Sequence, residues 1–109
     1  QLAPVLREID GKPIPASNFV TRDAQGRIWL TVSTRLLPRA RDYRRDARTG
    51  FIVLIDDRGA RIVADGLGFA NECAIDPTGM WLYVNETWLL ATDRIPPALV
   101  YLVQLFLSF

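Results

Sequence analysis

Histidine is absent from this chain of 109 residues, and cysteine occurs only once, at Cys73. Without histidine, the chain cannot form a Ser-His-Asp or Cys-His catalytic pair or an imidazole metal site. Any metal that it binds must therefore be a hard cation with oxygen ligands. One cysteine cannot form an internal disulfide, so the composition does not indicate an oxidising compartment, and we expect a cytoplasmic protein.

Net charge is also close to zero, at +1, but it is unevenly distributed. Residues 35–48, which we call the arginine loop, contain six arginines and only two acidic residues, Asp42 and Asp46. Clustered guanidinium groups attract phosphates, which would suit nucleic acid or an acidic substrate. However, Tyr43 is the only aromatic residue among them, and charged runs usually face water. We expect a solvated loop between strands and no nucleic-acid partner.

One segment of the sequence recurs after 53 positions without a gap. NFVTRDAQGRIWLTVST, which starts at Asn18, aligns with NECAIDPTGMWLYVNET, which starts at Asn71. Each copy contains an extended run, an Asp-x-x-Gly tetrapeptide and a run of aromatic and β-branched residues. This pattern predicts strand, tight turn, strand. The identical positions are Asn18 and Asn71, Asp23 and Asp76, Gly26 and Gly79, and Thr34 and Thr87.

Two further apolar runs, 51–55 and 60–64, follow the first copy and flank a second turn at 56–59. Four strands in a period near 50 residues predict an all-β fold built from antiparallel β-propeller blades. We expect residues 1–95 to be part of a six-bladed propeller, with a second, incomplete blade from Asn71. Residues 7–14 would form the outer hairpin of a preceding blade. A small β-sandwich with accidental self-similarity is the alternative.

The segments SNFVTRDAQGRIWLTVSTR and GFANECAIDPTGMWLYVNET resemble successive blades of the senescence marker protein, gluconolactonase and luciferin-regenerating enzyme family. The shared feature is a blade opening of the type Asn-x-x-x-x-Asp-x-x-Gly, followed by an aromatic-rich strand. The resemblance covers residues 5–87 and fades beyond Trp88. It implies hydrolysis of a sugar lactone or related ester with a divalent metal, Ca²⁺ being favoured over Zn²⁺ or Mn²⁺. It further implies that Asn71 is a metal ligand and that Asn18 lies near the substrate.

The residues themselves leave two interpretations of these asparagines. Equivalent positions of neighbouring blades converge at the mouth of the central channel, where a carboxamide oxygen could serve as a neutral ligand for Ca²⁺ beside carboxylates. Alternatively, Asn18 and Asn71 fix loops through hydrogen bonds from side chain to backbone at the start of each strand.

In the mechanism that the resemblance implies, the metal polarises the carbonyl and an aspartate deprotonates water. The family's glutamate ligand and aspartate base have no matching position here, so the catalytic residues are unknown. The identity of the lactone or ester also stays open. Phe19 follows Asn18 where many relatives have Asp, and Ala16 stands where some have Arg.

The other polar and aromatic candidates are expected to be structural. Glu72 should point away from the face that Asn71 uses, since side chains alternate along a strand. Glu86 should bind a neighbouring backbone group or arginine. Four aspartates are expected to form turns, namely Asp23, Asp76, Asp56 and Asp57. Four other residues are expected to pack in the core, namely Cys73, Trp29, Trp81 and Trp88.

The longest apolar run is the tail at 96–109, PPALVYLVQLFLSF. Fourteen residues are too few for a helix that spans a bilayer, so we expect a buried strand or core segment and no membrane partner. An alternative function class follows from this tail and from the incomplete set of blades. The chain could be a truncated, non-catalytic β-sheet module that self-associates through open sheet edges or binds a partner.

Overall fold

The computed structural model describes residues 3–79, 81–87 and 99–104, the last range by its backbone only. These residues form strands and one 3₁₀ turn at Arg39–Asp42, with no α-helix among them, so the all-β expectation is confirmed. No helix in these ranges is long and apolar enough to cross a membrane. The strands are β1 (Glu8–Ile9), β2 (Lys12–Pro13), β3 (Ser17–Arg22), β4 (Ile28–Val32), β5 (Gly50–Asp56), β6 (Gly59–Leu67), β7 (Ala70–Ile75), β8 (Trp81–Glu86) and β9 (Leu99–Gln104).

The strands form two larger antiparallel sheets and one short hairpin. Strands β3 to β6 pair in chain order and form the first sheet, which confirms the predicted four-stranded unit. Strands β7, β8 and β9 form the second sheet. The predicted hairpin at 7–14 is also formed, with β1 paired to β2.

The apolar tail is described in part. Strand β9 pairs with β8 from Trp81 opposite Gln104 to Glu86 opposite Leu99, so a strand is confirmed for 99–104. The remainder of 96–109 lies outside the described residues, as do the side chains of the strand itself and Trp88.

The hairpins β3–β4 and β7–β8 have the same pattern of backbone hydrogen bonds, but the connection between the strands is one residue longer in the second hairpin. Asp23 N donates to Arg27 O, whereas Asp76 N donates to Trp81 O, so the second hairpin has one more residue after its turn glycine. Four of the five pairs in the first hairpin have a counterpart in the second, such as Val20 opposite Leu30 and Cys73 opposite Val84. The correspondence is therefore 53 residues along the first strand and 54 along the second.

This offset corrects one identity of the ungapped alignment. Ser33 N donates to Ala16 O, and Thr87 N donates to Phe69 O at the equivalent place. Thr87 therefore corresponds to Ser33 and not to Thr34. The physical reason is the extra residue of the second turn, which moves every later position by one.

The two sheets stack face to back. One face of the first sheet carries Trp29, Ile52 and Leu54, and these pack against Cys73, Leu82 and Val84 of the second sheet. We call this the front face of the first sheet. By the hairpin correspondence, Val84 occupies the position of Leu30, which lies on the opposite, or back, face of the first sheet. The back face of the second sheet therefore covers the front face of the first.

The back face of the first sheet is covered in part by the N-terminal hairpin. Ile9 of β1 packs with Val32, Phe51 and Val53 in a second apolar cluster. Both sides of the first sheet thus contribute to a core, as expected for strands such as β5 that are apolar at consecutive positions.

Gly50 lies close to backbone atoms of both sheets. A Cβ atom there would lie 2.8 Å from Ser33 O, 2.9 Å from Leu67 O and 3.2 Å from Ala70 N. All three are backbone atoms that cannot rotate away. The absence of a side chain at Gly50 therefore permits the start of β7 to approach the end of β4.

Candidate functional site

Asn18 and Asn71 occupy equivalent irregular positions, one in each hairpin. The pairing of β3 with β4 shifts register between Ser17 and Phe19, and that of β7 with β8 shifts between Ala70 and Cys73. Such bulges bend a strand and redirect one side chain. Both asparagines therefore lie at a bulge near the start of a first strand.

The structure brings the two asparagines into direct contact. Asn18 Nδ2 donates to Asn71 Oδ1 at 3.0 Å and to Ser33 Oγ at 2.9 Å. Ser33 Oγ in turn donates to Ala70 O at 2.7 Å, which links the end of β4 to the start of β7. The side chains from the two repeats thus converge, as the sequence predicted for residues at equivalent positions.

Asn71 is also held by its own hairpin. Its Nδ2 donates to Thr87 Oγ1 at 2.6 Å and to Phe69 O at 3.2 Å. The bond to Phe69 is the loop-fixing contact that the structural interpretation expects. Among the described residues, Asn18 Oδ1 accepts no hydrogen bond, and Asn18 is exposed. The paired carboxamides therefore present one open acceptor to solvent.

Neither of the nearby glutamates joins this pair. Glu72 Oε2 accepts a hydrogen bond from Asn85 Nδ2 at 3.2 Å, so the described contact of this carboxylate is with Asn85 and not with Asn71. Glu86 is 4% exposed and its Oε1 accepts from Gly68 N at 2.6 Å, which confirms the predicted backbone partner. Burial raises the pKa of Glu86, although the hydrogen bond from Gly68 and the charge of Arg48 act in the other direction.

The described donors around Asn71 do not by themselves form a site for a divalent cation. Its Oδ1 already accepts from Asn18, and both side chains are neutral. Ca²⁺ sites need carboxylates to balance the charge of the ion. No group of three or more Asp, Glu, Cys or His side chains with metal-binding geometry occurs among the described residues.

The turn aspartates have the structural roles that the sequence predicts. Asp23 Oδ1 accepts from the backbone N–H groups of Gln25 and Arg27, and its Oδ2 accepts from Arg27 Nε and Trp29 Nε1. Burial raises the pKa of Asp23, but these hydrogen bonds outweigh it and the pKa is lowered.

The other two turns are built in the same manner. Asp76 Oδ1 accepts from Trp81 N and from Thr78 Oγ1. Asp56 pairs with Arg61 through two hydrogen bonds of 2.9 Å, which lower the pKa of Asp56 to about 2.

The arginine loop is anchored by a buried carboxylate that the sequence did not reveal. Asp42 is fully buried and accepts from Thr34 Oγ1 at 2.7 Å, Thr49 Oγ1 at 2.6 Å and Arg44 Nε at 3.1 Å. Burial raises the pKa of Asp42, but the threonine hydroxyls and Arg44 lower it further than burial raises it. Most of the loop is exposed, as expected, yet its two ends are tied together through Asp42.

The loop also contacts the approach to β7. The ring of Tyr43 packs edge-on against Phe69 at 5.3 Å between centroids, and Arg35 pairs with Asp65 at 2.9 Å. The arginine loop therefore borders the end of the sheets where Asn18 and Asn71 meet.

The remaining candidates have no link to the asparagine pair. Cys73 is buried, and burial raises the pKa of its thiol to about 11, so packing accounts for it as predicted. Trp29 is a core residue, whereas Trp81 is only partly buried. A surface cavity of about 680 Å³ lies at the opposite end of the first sheet, between the turns that include Arg27 and Asp57.

Comparison with known proteins does not assign the chain to a family. No family model matches it, and no curated protein or solved structure matches it significantly. The resemblance to the gluconolactonase-like family therefore stays a prediction carried by the repeated Asn-x-x-x-x-Asp-x-x-Gly openings.

Proposed function

We propose that the two hairpins are inner strands of adjacent β-propeller blades and that Asn18 and Asn71 line a pocket for a sugar lactone or related ester, which is hydrolysed there. The contact of 3.0 Å between two carboxamides from equivalent bulges carries this proposal. The face-to-back stacking of the two sheets supports the propeller, because that is how successive blades pack.

The asparagine pair would bind the substrate through hydrogen bonds. Asn18 Oδ1 is exposed and accepts from none of the described residues, so it can accept a hydrogen bond from a substrate hydroxyl. Asn71 positions Asn18 through its Oδ1 and is itself fixed by Thr87. This arrangement pre-orders the acceptor before the ligand arrives, which lowers the entropy cost of binding.

The metal remains part of the resemblance alone, because no group of three or more Asp, Glu, Cys or His side chains that could hold an ion occurs among the described residues. We derive no catalytic step through a metal. The described residues account for substrate orientation, and the group that activates water stays unassigned.

The test is hydrolysis of glucono-δ-lactone, followed at constant pH with the uncatalysed rate subtracted, with and without added Ca²⁺. Asn18→Ala and Asn71→Ala should each lower kcat/KM about fivefold to tenfold, the loss expected for one substrate hydrogen bond or its support. Asn85→Ala is the matched control, since the described side-chain hydrogen bond of Asn85 goes to Glu72 and not to the asparagine pair, and the rate should be unchanged. A wild-type chain that neither hydrolyses nor binds the lactone would overturn the proposal.

A further inference from the structure

The back face of β3 is exposed where its counterpart is buried. Val20 is 60% exposed, although Cys73, the equivalent residue of the second hairpin, is only 6% exposed. Cys73 is covered because the front face of the first sheet lies against it. Val20 lacks such a cover among the described residues.

The front face of the second sheet shows the complementary difference. Tyr83 is 38% exposed, whereas Trp29, its equivalent in the first hairpin, is 1% exposed beneath the second sheet. Val20 and Tyr83 are therefore the exposed equivalents of two residues that are buried where the sheets meet within one chain.

We propose that these faces bind each other between copies of this chain, so that the front face of the second sheet in one copy covers the back of β3 in the next. The intramolecular interface between the sheets provides the template. This contact uses sheet faces and not open sheet edges, and it requires neither the lactone nor a metal, so it goes beyond the proposed function.

Charge at the exposed faces supports a second copy as the occupant. Within the chain, Phe19 and Ile75 both pack against the apolar cluster between the sheets. Their equivalents on the exposed faces are Glu72 and Arg22, which carry opposite charges. Arg22 forms no ion pair with any residue that the structure describes. Each exposed face thus carries a charge where its buried counterpart carries an apolar residue, and the two charges are opposite.

The N-terminal hairpin leaves room for this contact. Ile9 covers the back face at Val32 and Phe51, on β4 and β5, and the exposed Val20 shows that β3 is not covered in the same way.

Because the two faces differ, the interface is heterologous and propagates from copy to copy. The expected ring size rests on the propeller proposed above: propellers close with about four to eight blades, so a ring to which each copy contributes its two described sheets would contain about two to four copies.

Size-exclusion chromatography with light scattering tests the proposal on the full chain over a wide range of concentration. The wild type should form a discrete assembly of about two to four copies. Val20→Lys should yield monomers, and Val5→Lys, at a 73% exposed valine outside both faces, should assemble like the wild type. A wild type that stays monomeric, or a Val20→Lys chain that assembles normally, overturns the proposal.

Mixing two variants distinguishes this interface from a symmetric dimer. Val20→Lys blocks the back face and Tyr83→Lys blocks the front face, so each alone should be monomeric. Their mixture should contain dimers with one chain of each, and a mixture without dimers contradicts the heterologous arrangement.

If either lysine variant fails to fold by circular dichroism, charge reversal replaces it. Arg22→Glu should weaken assembly, and Glu72→Arg in the same chain should restore it. Equal assembly of wild type, single and double variants would contradict an interface between these two oppositely charged faces.

Discussion

The two hairpins contain the same Asp-x-x-Gly turn, but the described partners of the two aspartates differ in kind. In the first hairpin, the carboxylate of Asp23 is 5% exposed and binds the guanidinium of Arg27 and the indole of Trp29 as well as the turn backbone. In the second, the carboxylate of Asp76 binds Trp81 N and the hydroxyl of Thr78.

This difference separates what a turn motif determines from what its surroundings determine. Aspartate and glycine set the backbone of both turns, with Gly26 and Gly79 at φ +82° and +72°. The energetic weight of each aspartate depends on neighbours outside the motif. Three predictions test how far the two hairpins differ.

Truncation at equivalent aromatic positions should give the largest contrast. Trp29→Ala should lower the free energy of unfolding by about 4 kcal/mol, because it leaves a cavity between the sheets and removes the hydrogen bond to Asp23. Tyr83→Ala should cost less than about 1 kcal/mol, since Tyr83 is partly exposed. Urea denaturation at concentrations where the chain is monomeric measures both, and equal losses would contradict the face-to-back stacking.

Removal of the turn carboxylates should give a smaller contrast. Asp23→Ala should cost about 3 kcal/mol, because the guanidinium of Arg27, 9% exposed, loses its carboxylate partner. Asp76→Ala should cost about 1 kcal/mol, the loss of turn hydrogen bonds near solvent. Thermal unfolding ranks the two variants, and a larger loss for Asp76→Ala would refute this account.

Acid titration of the first hairpin should give the smallest effect, a difference between the wild type and a variant that lacks the charge of Asp23. The pKa of Asp23 is lowered in the folded chain, so its stabilising contribution is complete above the ordinary aspartate value of about 3.9 and disappears as the pH falls through the folded value. Asp23→Asn should therefore be less stable than the wild type at neutral pH and approach it in acid. Unfolding free energies measured from pH 6 to pH 2 check this, and a pH-independent difference would exclude the charge of Asp23 as the cause.

Much of the fold is predictable because its signals are local. Alternating apolar residues on either side of Asp-x-x-Gly determine the hairpins, and the repeat predicts that Asn18 and Asn71 converge. The burial of Asp42 could not be recognised from the sequence, since its partners Thr34 and Thr49 flank the arginine loop on either side and come together only in the folded chain. Which ligand the asparagine pair binds is likewise not determined by the residues that hold it.

The extra residue after Gly79 shows how insertions can be tolerated in such a repeat. Because strand residues alternate between faces, an insertion within β8 would exchange its inside and outside positions and expose Leu82 and Val84. Placed in the turn, the same residue changes the length of the connection and leaves the pairs next to the turn, from Ile75 opposite Leu82 to Cys73 opposite Val84, in register. The number of residues in the turns of this architecture can therefore vary while the paired strands keep their register. A search for further copies of the repeat should accordingly allow a gap at each Asp-x-x-Gly turn.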